Sequence, residues 1–153
     1  MPDVNELLRP SLGSEASPAT SIYSTTVGYI AAFFGGPIGG TAIALTNSWR
    51  LKRLGKDWPL GVIAVALTGA MAWWEQRAGG IRWLDAHFGS GGQRFAVRVV
   101  GLAMFAVIYL IHRRYYRSMD MMGIKPPWGW GPGIAATIGG MAVMTALGDV
   151  LAP

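Results

Sequence analysis

The stretch STTVGYIAAFFGGPIGGTAIALTNS, residues 24–48, contains no charged side chain and decides the fold class. At ~1.5 Å of rise per residue, a helix of this length reaches across a hydrocarbon core of ~30 Å with some tilt. Because close backbone packing joins helices in lipid, small residues repeated every four positions predict a helix-packing stripe. The stripe consists of Gly28, Ala32, Gly36, Gly40 and Ala44.

Pro37 interrupts this span inside the sequence GGPIGG. A proline removes one backbone donor and leaves the carbonyl of Phe33 without its helical partner, so we expect a kink near mid-membrane. Three interpretations are open. The segment is a kinked packing helix, a broken helix whose freed backbone groups line a solute or ion site, or a re-entrant loop. We take the kinked packing helix as our prediction.

Three further apolar segments follow the first span. With them the chain, 52% hydrophobic and 14% charged, is predicted to be an all-α membrane protein with a bundle of four transmembrane helices, the first kinked at Pro37. The predicted spans cover about residues 24–48, 58–74, 95–111 and 131–147. The last span repeats the small-residue theme, so Ala135 and Gly139 join the predicted packing positions.

The remaining segments are polar or glycine-rich. Residues 1–23 are rich in Ser, Pro, Ala and Thr and are predicted to form a flexible tail, which leaves residues 24–153 as one transmembrane domain. Residues 81–88 form either a short helix on the membrane surface or a loop with aromatic plugs. Arg98 lies one turn inside the third span, where it either snorkels to the headgroups or makes an internal contact.

Basic residues cluster beside the apolar spans, next to tryptophans, as is typical of topology and headgroup contacts rather than of nucleic-acid binding. With four spans, one face holds eight Lys and Arg and the other holds five. The positive-inside rule then predicts that both termini lie outside the cytoplasm. The predicted headgroup and topology residues are Arg50, Lys52, Arg53, Lys56, Arg113, Arg114 and Arg117.

Several kinds of chemistry are disfavoured by composition. The chain has no cysteine, which excludes disulfides and thiolate metal sites. Its histidines, His87 and His112, lie at opposite ends of a predicted span of ~25 Å, so they cannot share a metal or a haem. No acid is predicted at mid-membrane to couple transport to protons or cations. We therefore expect no metal and no cofactor.

Catalysis would have to use polar groups at the basic membrane interface. The groups available there for a phosphorylated headgroup are Asn47, Arg50, His112, Arg113, Tyr116 and Asp120. Topology and lipid contact explain the same residues without chemistry. We therefore predict no enzymatic activity and name no catalytic residue.

The run AFFGGPIGGTAIALTNSWRLKRLG, residues 32–55, resembles a loosely defined group of uncharacterised small bacterial membrane proteins. In their first span an aromatic residue or leucine precedes GGP, which is followed by small residues, an asparagine and LG. The resemblance implies a bacterial inner membrane and no particular substrate. The matching positions are Phe34, Gly35, Gly36, Pro37, Gly40, Asn47, Leu54 and Gly55.

These observations predict a non-enzymatic function. The expected role is a small structural or accessory subunit, whose Gly and Ala stripes pack against a second copy or a larger membrane complex within the lipid bilayer. The alternative is a homo-oligomeric channel or carrier for a small solute, with the GGPIGG break lining the path.

Overall fold

The computed structural model describes residues 21–77 and 79–151, and within these residues it contains five α-helices and no β-strand. The flexible tail predicted over residues 1–23 lies outside the described residues except for its last three, of which Ile22 and Tyr23 are buried. The helices are α1 (Thr25–Arg50), α2 (Leu54–Arg77), α3 (Gly80–Phe88), α4 (Gly92–Met121) and α5 (Trp130–Leu151).

Helix α1 is interrupted at Gly36, where φ is 64° and ψ is −157°. Glycine adopts this left-handed backbone conformation readily, whereas other residues are strained in it. Pro37 disfavours a helical conformation in the residue before it, and its missing N–H is best tolerated in the first turn of a helix. Gly36 therefore ends one helical segment, and Pro37 begins the next.

The two segments run antiparallel, because residues at the two ends of α1 are hydrogen-bonded to each other. The Tyr23 N–H donates to Asn47 Oδ1 at 2.8 Å, and Asn47 Nδ2 donates to the Tyr23 carbonyl at 3.3 Å. Arg50 Nη1 donates to the Ser21 carbonyl at 2.9 Å. A continuous helix of 26 residues would hold its ends ~39 Å apart. Helix α1 is therefore a helical hairpin with its tip at Gly36 and Pro37.

The hairpin replaces the predicted single span with a kink at Pro37. Small residues let the two halves approach closely, since a Cβ atom at Gly40 would lie 2.7 Å from the Cβ of Ala32. By length and composition, three helices can cross a membrane: α1, α4 and the Trp130–Val150 part of α5. In α1, however, that length is divided between two halves of ~16 and ~21 Å, each shorter than a core of ~30 Å.

The hairpin occupies the centre of the bundle, with its most extensive contacts to α4 and α5 and smaller ones to α2. We call one end of the bundle the basic end. It holds both ends of α1, the start of α2 and the end of α4, which are joined by the Asn47–Tyr116 and Asp57–His112 contacts. The opposite, distal end holds the end of α2, α3 and the start of α4.

The other predicted spans lie inside longer helices. Residues 58–74, 95–111 and 131–147 fall within α2, α4 and α5, although α2 is not among the three helices apolar enough to cross a membrane. Helix α3 covers the segment 81–88, for which a helix or a loop was expected, and it is flanked by Gly79 and Gly89 with φ of 75° and 74°. The described chain is therefore all-helical, with three candidate spans.

Candidate functional site

The small-residue stripe of α1 lies inside the protein. Phe105 of α4, only 1% exposed, covers two of its positions: a Cβ atom at Gly28 would overlap the phenyl ring, and one at Gly40 would lie 3.4 Å from Phe105 Cβ. A buried side chain of this size cannot move aside cheaply. All six predicted contact positions in α1 are buried: Gly28, Ala32, Gly36, Pro37, Gly40 and Ala44.

Because the stripe is buried, its small residues serve packing inside the protein. The predicted contact with another helix is made by helices of the same chain, so a leucine at Gly36 or Gly40 would disturb folding before it disturbed association. The expectation that these positions bind a partner protein therefore has no support from their location.

Helix α5 divides its small residues between two faces. Gly140 packs against the hairpin tip, where an added Cβ atom would lie 2.9 Å from the carbonyl carbon of Gly35. Ala135 and Gly139, predicted as packing positions, are exposed, and the Cβ position of Gly139 has no neighbouring atom within 4 Å. The described residues therefore leave this second face of α5 uncovered.

The basic clusters meet at the basic end but differ in exposure. Arg50 donates to the Tyr23 hydroxyl at 3.2 Å, and its guanidinium lies 4.4 Å from the centre of that ring. Arg53 likewise donates to the Tyr115 hydroxyl and stacks on its ring at 4.8 Å. These two cations therefore hold the fold together. The other five predicted headgroup residues are exposed: Lys52, Lys56, Arg113, Arg114 and Arg117.

Asn47 closes the open end of the hairpin. It is 4% exposed, it bonds both backbone polar groups of Tyr23, and its Nδ2 donates to the Tyr116 hydroxyl at 3.1 Å. A buried amide needs partners for its donors and its acceptor, and here they come from residues before α1 and from α4. Asn47 therefore joins the two halves of α1 to α4.

A buried contact between a carboxylate and an imidazole lies beside this amide. Asp57, 5% exposed and just before the segment 58–74, accepts a hydrogen bond at 3.0 Å from His112 Nε2, and Arg53 Nε lies 4.0 Å from the same carboxylate oxygen. Burial opposes the charged carboxylate, but Ser48, His112 and Arg53 together outweigh it, so the pKa of Asp57 is lowered. The pair therefore ties α2 to α4 at the basic end.

A second buried acid lies at the distal end, just after the segment 58–74. Glu75 is 3% exposed, and its Oε2 accepts from Gln93 Nε2 at 2.8 Å. Its other oxygen, Oε1, is buried without a hydrogen-bond partner among the described residues. Burial raises the pKa of Glu75, and the hydrogen bond from Gln93 offsets only part of this effect.

A cleft of about 510 Å³ opens where the hairpin tip meets α4 and α5. Its floor comes from the hairpin, one wall from the first two turns of α4, and the other wall from the distal half of α5. Its lining combines aromatic, aliphatic, polar and basic side chains, including Phe33, Phe34, Arg94, Arg98, Met144 and Thr145.

The residues considered for a surface enzyme do not converge on one point. His112 is buried and engaged by Asp57, whereas Arg113 and Asp120 on the same helix are exposed. Asn47 and Tyr116 are bonded to each other. Within the described part of the chain, no group of three His, Asp or Glu side chains could hold a metal ion.

No protein-family model, curated protein or solved structure matches this chain. The candidate site is therefore interpreted from its own geometry.

Asp57 and Glu75 were not identified as buried acids from the sequence. A helical signal was present, because small and polar residues recur on one face of α2 at spacings of three, four and seven. That face is buried in the structure and comprises Asp57, Ala64, Thr68, Ala72 and Glu75. Reading α2 as a helix that begins before residue 58 would have found it.

Proposed function

We propose that this protein is a small integral membrane protein that acts as a structural or accessory subunit by packing α5 against a second copy of itself. The observation that carries the proposal is an outward stripe of small residues on α5. Its members follow each other at spacings of four, three and four residues, which keeps them on one helix face. The stripe consists of Ala135, Gly139, Ala142 and Ala146, all exposed.

A second copy suits this stripe because the stripe is uncharged and self-complementary. Two copies related by a twofold axis would bring the same small residues face to face, so that the two backbones approach closely. Ile138 and Met141, 61% and 54% exposed, border the stripe and would add van der Waals contact on both sides.

We further propose that α2, α4 and α5 cross the membrane, while α1 enters from the basic end and returns to it. Helix α2 has 24 residues and a length of ~36 Å, which is sufficient for one crossing. Trp58 and Trp73, 57% and 56% exposed, suit the two membrane interfaces. Non-helical backbone at membrane depth is tolerated where protein covers it, as α4 and α5 cover the hairpin tip.

This arrangement changes the expected orientation. With α1 as a hairpin, Ser21 lies on the same side as the two basic loops, whose eight Lys and Arg compare with four on the other side. The positive-inside rule then places the basic end in the cytoplasm and the C-terminal end of α5 outside it. We propose this orientation, in an inner (plasma) membrane, in place of two external termini.

Cysteine cross-linking in native membranes tests the proposed assembly, because the chain has no cysteine of its own. Gly139→Cys is expected to give a covalent dimer on mild oxidation. Ala103→Cys provides the matched control, since Ala103 is exposed on α4. Adding Ala135→Leu to the Gly139→Cys variant should reduce the dimer, whereas adding Ala103→Leu should not.

A dimer formed equally well through residue 103, or none through residue 139, would contradict packing through α5. Native mass spectrometry of the protein in mild detergent gives an independent reading. A dimer is expected. A stable complex with a different membrane protein would mean that that protein, and not a second copy, is the partner.

A second candidate function, a channel or carrier, is favoured by the reversal of the chain at Gly36 and the cleft beside it. Broken helices at membrane depth often supply backbone groups to a solute path. Here Gly35 lines the cleft, but Gly101 of α4 and Gly140 of α5 cover the neighbouring backbone. The candidate predicts solute flux in protein-only vesicles that changes with Pro37→Ala. Absence of flux in vesicles that contain the dimer would contradict the channel or carrier and leave the structural role as the remaining candidate.

A further inference from the structure

We infer that the cleft above the hairpin tip, which we call the distal cleft, binds an anionic lipid through Arg94 and Arg98. Its volume of about 510 Å³ is within the ~300–1,000 Å³ typical of ligand pockets. The inference requires neither α5 packing nor solute flux, although the channel candidate uses the same cleft and Met141, which borders the α5 stripe, lines one wall.

Two unpaired cations define the polar side of the cleft. Arg94 and Arg98 are one helical turn apart on α4, and both line the cleft. Neither forms an ion pair with a described residue, since the close contacts between basic and acidic side chains in the described residues join Arg53 and His112 to Asp57. Guanidinium groups offer several donors in a planar fork, which suits phosphate oxygens.

Arg98 is held in position by aromatic rings. Its guanidinium lies 4.7 Å from the centre of the Phe33 ring and 5.9 Å from that of Phe34. Cation–π contact compensates only part of the cost of placing a charge this deep in an apolar helix. A bound anion would complete the compensation, which is why we interpret Arg98 as a ligand contact rather than as a snorkelling side chain.

The other walls are apolar and open to the surroundings. Phe34 and Met141 are 51% and 54% exposed, and Met144 lies beside them on α5. Methionine and aromatic side chains adapt well to flexible alkyl chains. A small inorganic anion would use the arginines and leave these walls uncovered. A headgroup attached to acyl chains would contact both the arginines and the apolar walls, with the chains leaving the cleft past Phe34.

No acidic side chain is among the described residues that line the cleft. Glu75 is separated from the cleft by Gln93, which lines the cleft and donates to the Glu75 carboxyl group.

The test is a binding titration of the full-length purified protein by native mass spectrometry. Phosphatidylglycerol and phosphatidic acid are compared with phosphatidylcholine of the same chain length. We expect both anionic lipids to bind about tenfold or more tightly than phosphatidylcholine, because the choline cation of phosphatidylcholine is repelled by the two arginines and the anionic headgroups carry no such cation. Arg94→Gln combined with Arg98→Gln should abolish this preference. The matched control, Arg82→Gln with Lys125→Gln, removes two exposed cations that do not line the cleft and should retain it.

Further measurements distinguish the source of the anion and the effect of folding. Inorganic phosphate and glycerol phosphate are added as competitors, and at equal concentration they should displace less than a tenth of the bound lipid. Thr145→Trp narrows the cleft without removing a charge and should weaken lipid binding, while circular dichroism checks that each variant keeps its helical content.

An equal loss of lipid preference in the control variant would overturn the inference, because binding would then follow total charge. Full displacement by inorganic phosphate would overturn it as well, because the apolar walls would contribute nothing. If Arg98→Gln does not fold, then lipid binding by Arg94→Gln and by Thr145→Trp tests the inference. Unchanged lipid binding in both would count against the distal cleft.

Discussion

Two adjacent glycines of α5 have opposite surroundings. Gly140 packs against the backbone of Gly35 at the hairpin tip, whereas the Cβ position of Gly139 has no atom within 4 Å. Both lie inside the same helix, so replacing either by alanine brings the same gain in helix propensity. Any difference in stability between the two alanine variants therefore reports the contact between Gly140 and Gly35 and not helix propensity.

Gly140→Ala is expected to destabilise the protein by ~1–3 kcal/mol, because the backbones of α1 and α5 must move apart. Gly139→Ala is expected to be neutral or to stabilise it by up to ~1 kcal/mol. Thermal unfolding in detergent, followed by circular dichroism, measures both. Equal melting temperatures for the two variants would show that α5 does not approach Gly35 closely.

The two buried acids predict opposite responses to pH. The pKa of Asp57 is lowered in the folded protein, so its ionised form stabilises the fold above the pKa of the unfolded chain. This contribution is lost as pH falls through the folded-state pKa. We expect Asp57→Asn to lower stability at pH 7 by ~1–3 kcal/mol, as for loss of a charged hydrogen bond. The difference from the native protein should shrink below ~pH 4.

Glu75 provides the contrasting case. Burial raises its pKa, so its protonated form stabilises the fold fully below the unfolded-state pKa, and this contribution is lost as pH rises through the folded-state pKa. Glu75→Gln removes the charge and keeps a partner for Gln93. We expect it to raise the melting temperature at pH 7 and to have no effect near ~pH 4. The same sign of change at pH 7 for both variants would contradict these assignments.

At the scale of single elements, α1 is the feature on which the interpretation depends. Its glycines serve the approach of its two halves and the packing of α4 and α5 on them. Asn47 and Arg50 close the open end by bonding to residues 21–23, just before the helix. The hairpin is therefore held at its tip by backbone geometry and at its base by side-chain hydrogen bonds.

A distance measurement tests the hairpin directly. Spin labels at Thr26→Cys and Lys52→Cys would be separated by ~39 Å in a continuous helix. In the hairpin, helices packed ~8–10 Å apart bring the two labels much closer, and we expect a distance below ~25 Å. Both positions are exposed, so labelling should leave the packing unchanged. A distance near ~39 Å would instead support the single kinked span.

For the whole molecule, the hairpin determines which side of the membrane each segment faces. Tryptophans lie near both ends of the bundle, with Trp49, Trp58, Trp128 and Trp130 toward the basic end and Trp73, Trp74 and Trp83 toward the distal end. Two such aromatic belts are typical of a protein that spans a bilayer. The distal cleft then opens on the side opposite to the basic loops.

Sidedness can be measured with single cysteines and a membrane-impermeant thiol reagent in intact cells. Ser21→Cys and Lys52→Cys should both be protected, because both lie on the proposed cytoplasmic side, whereas Ser90→Cys should be labelled. Four spans would instead leave Ser21→Cys and Ser90→Cys labelled together. Permeabilised cells, in which all three should react, provide the control.

Local sequence determined the helical fold class, the apolar segments and the basic clusters beside them. Hydrophobic length, the absence of charge and the spacing of small residues act within a segment, and they can be read without knowing its neighbours. The same reasoning located a break at Pro37, because the backbone restrictions of proline are local as well.

Only the tertiary structure decided the direction of the chain after that break. A Gly-Pro pair is compatible with a kink, a broken helix or a reversal, and hydrogen bonds between Tyr23 and Asn47, 24 positions apart, select the reversal. Long-range packing also decided that the α1 stripe is internal, that Ala135 and Gly139 face outward, and that Asp57 and Glu75 are buried. These outcomes depend on which helix covers which face, and residues distant in sequence supply that information.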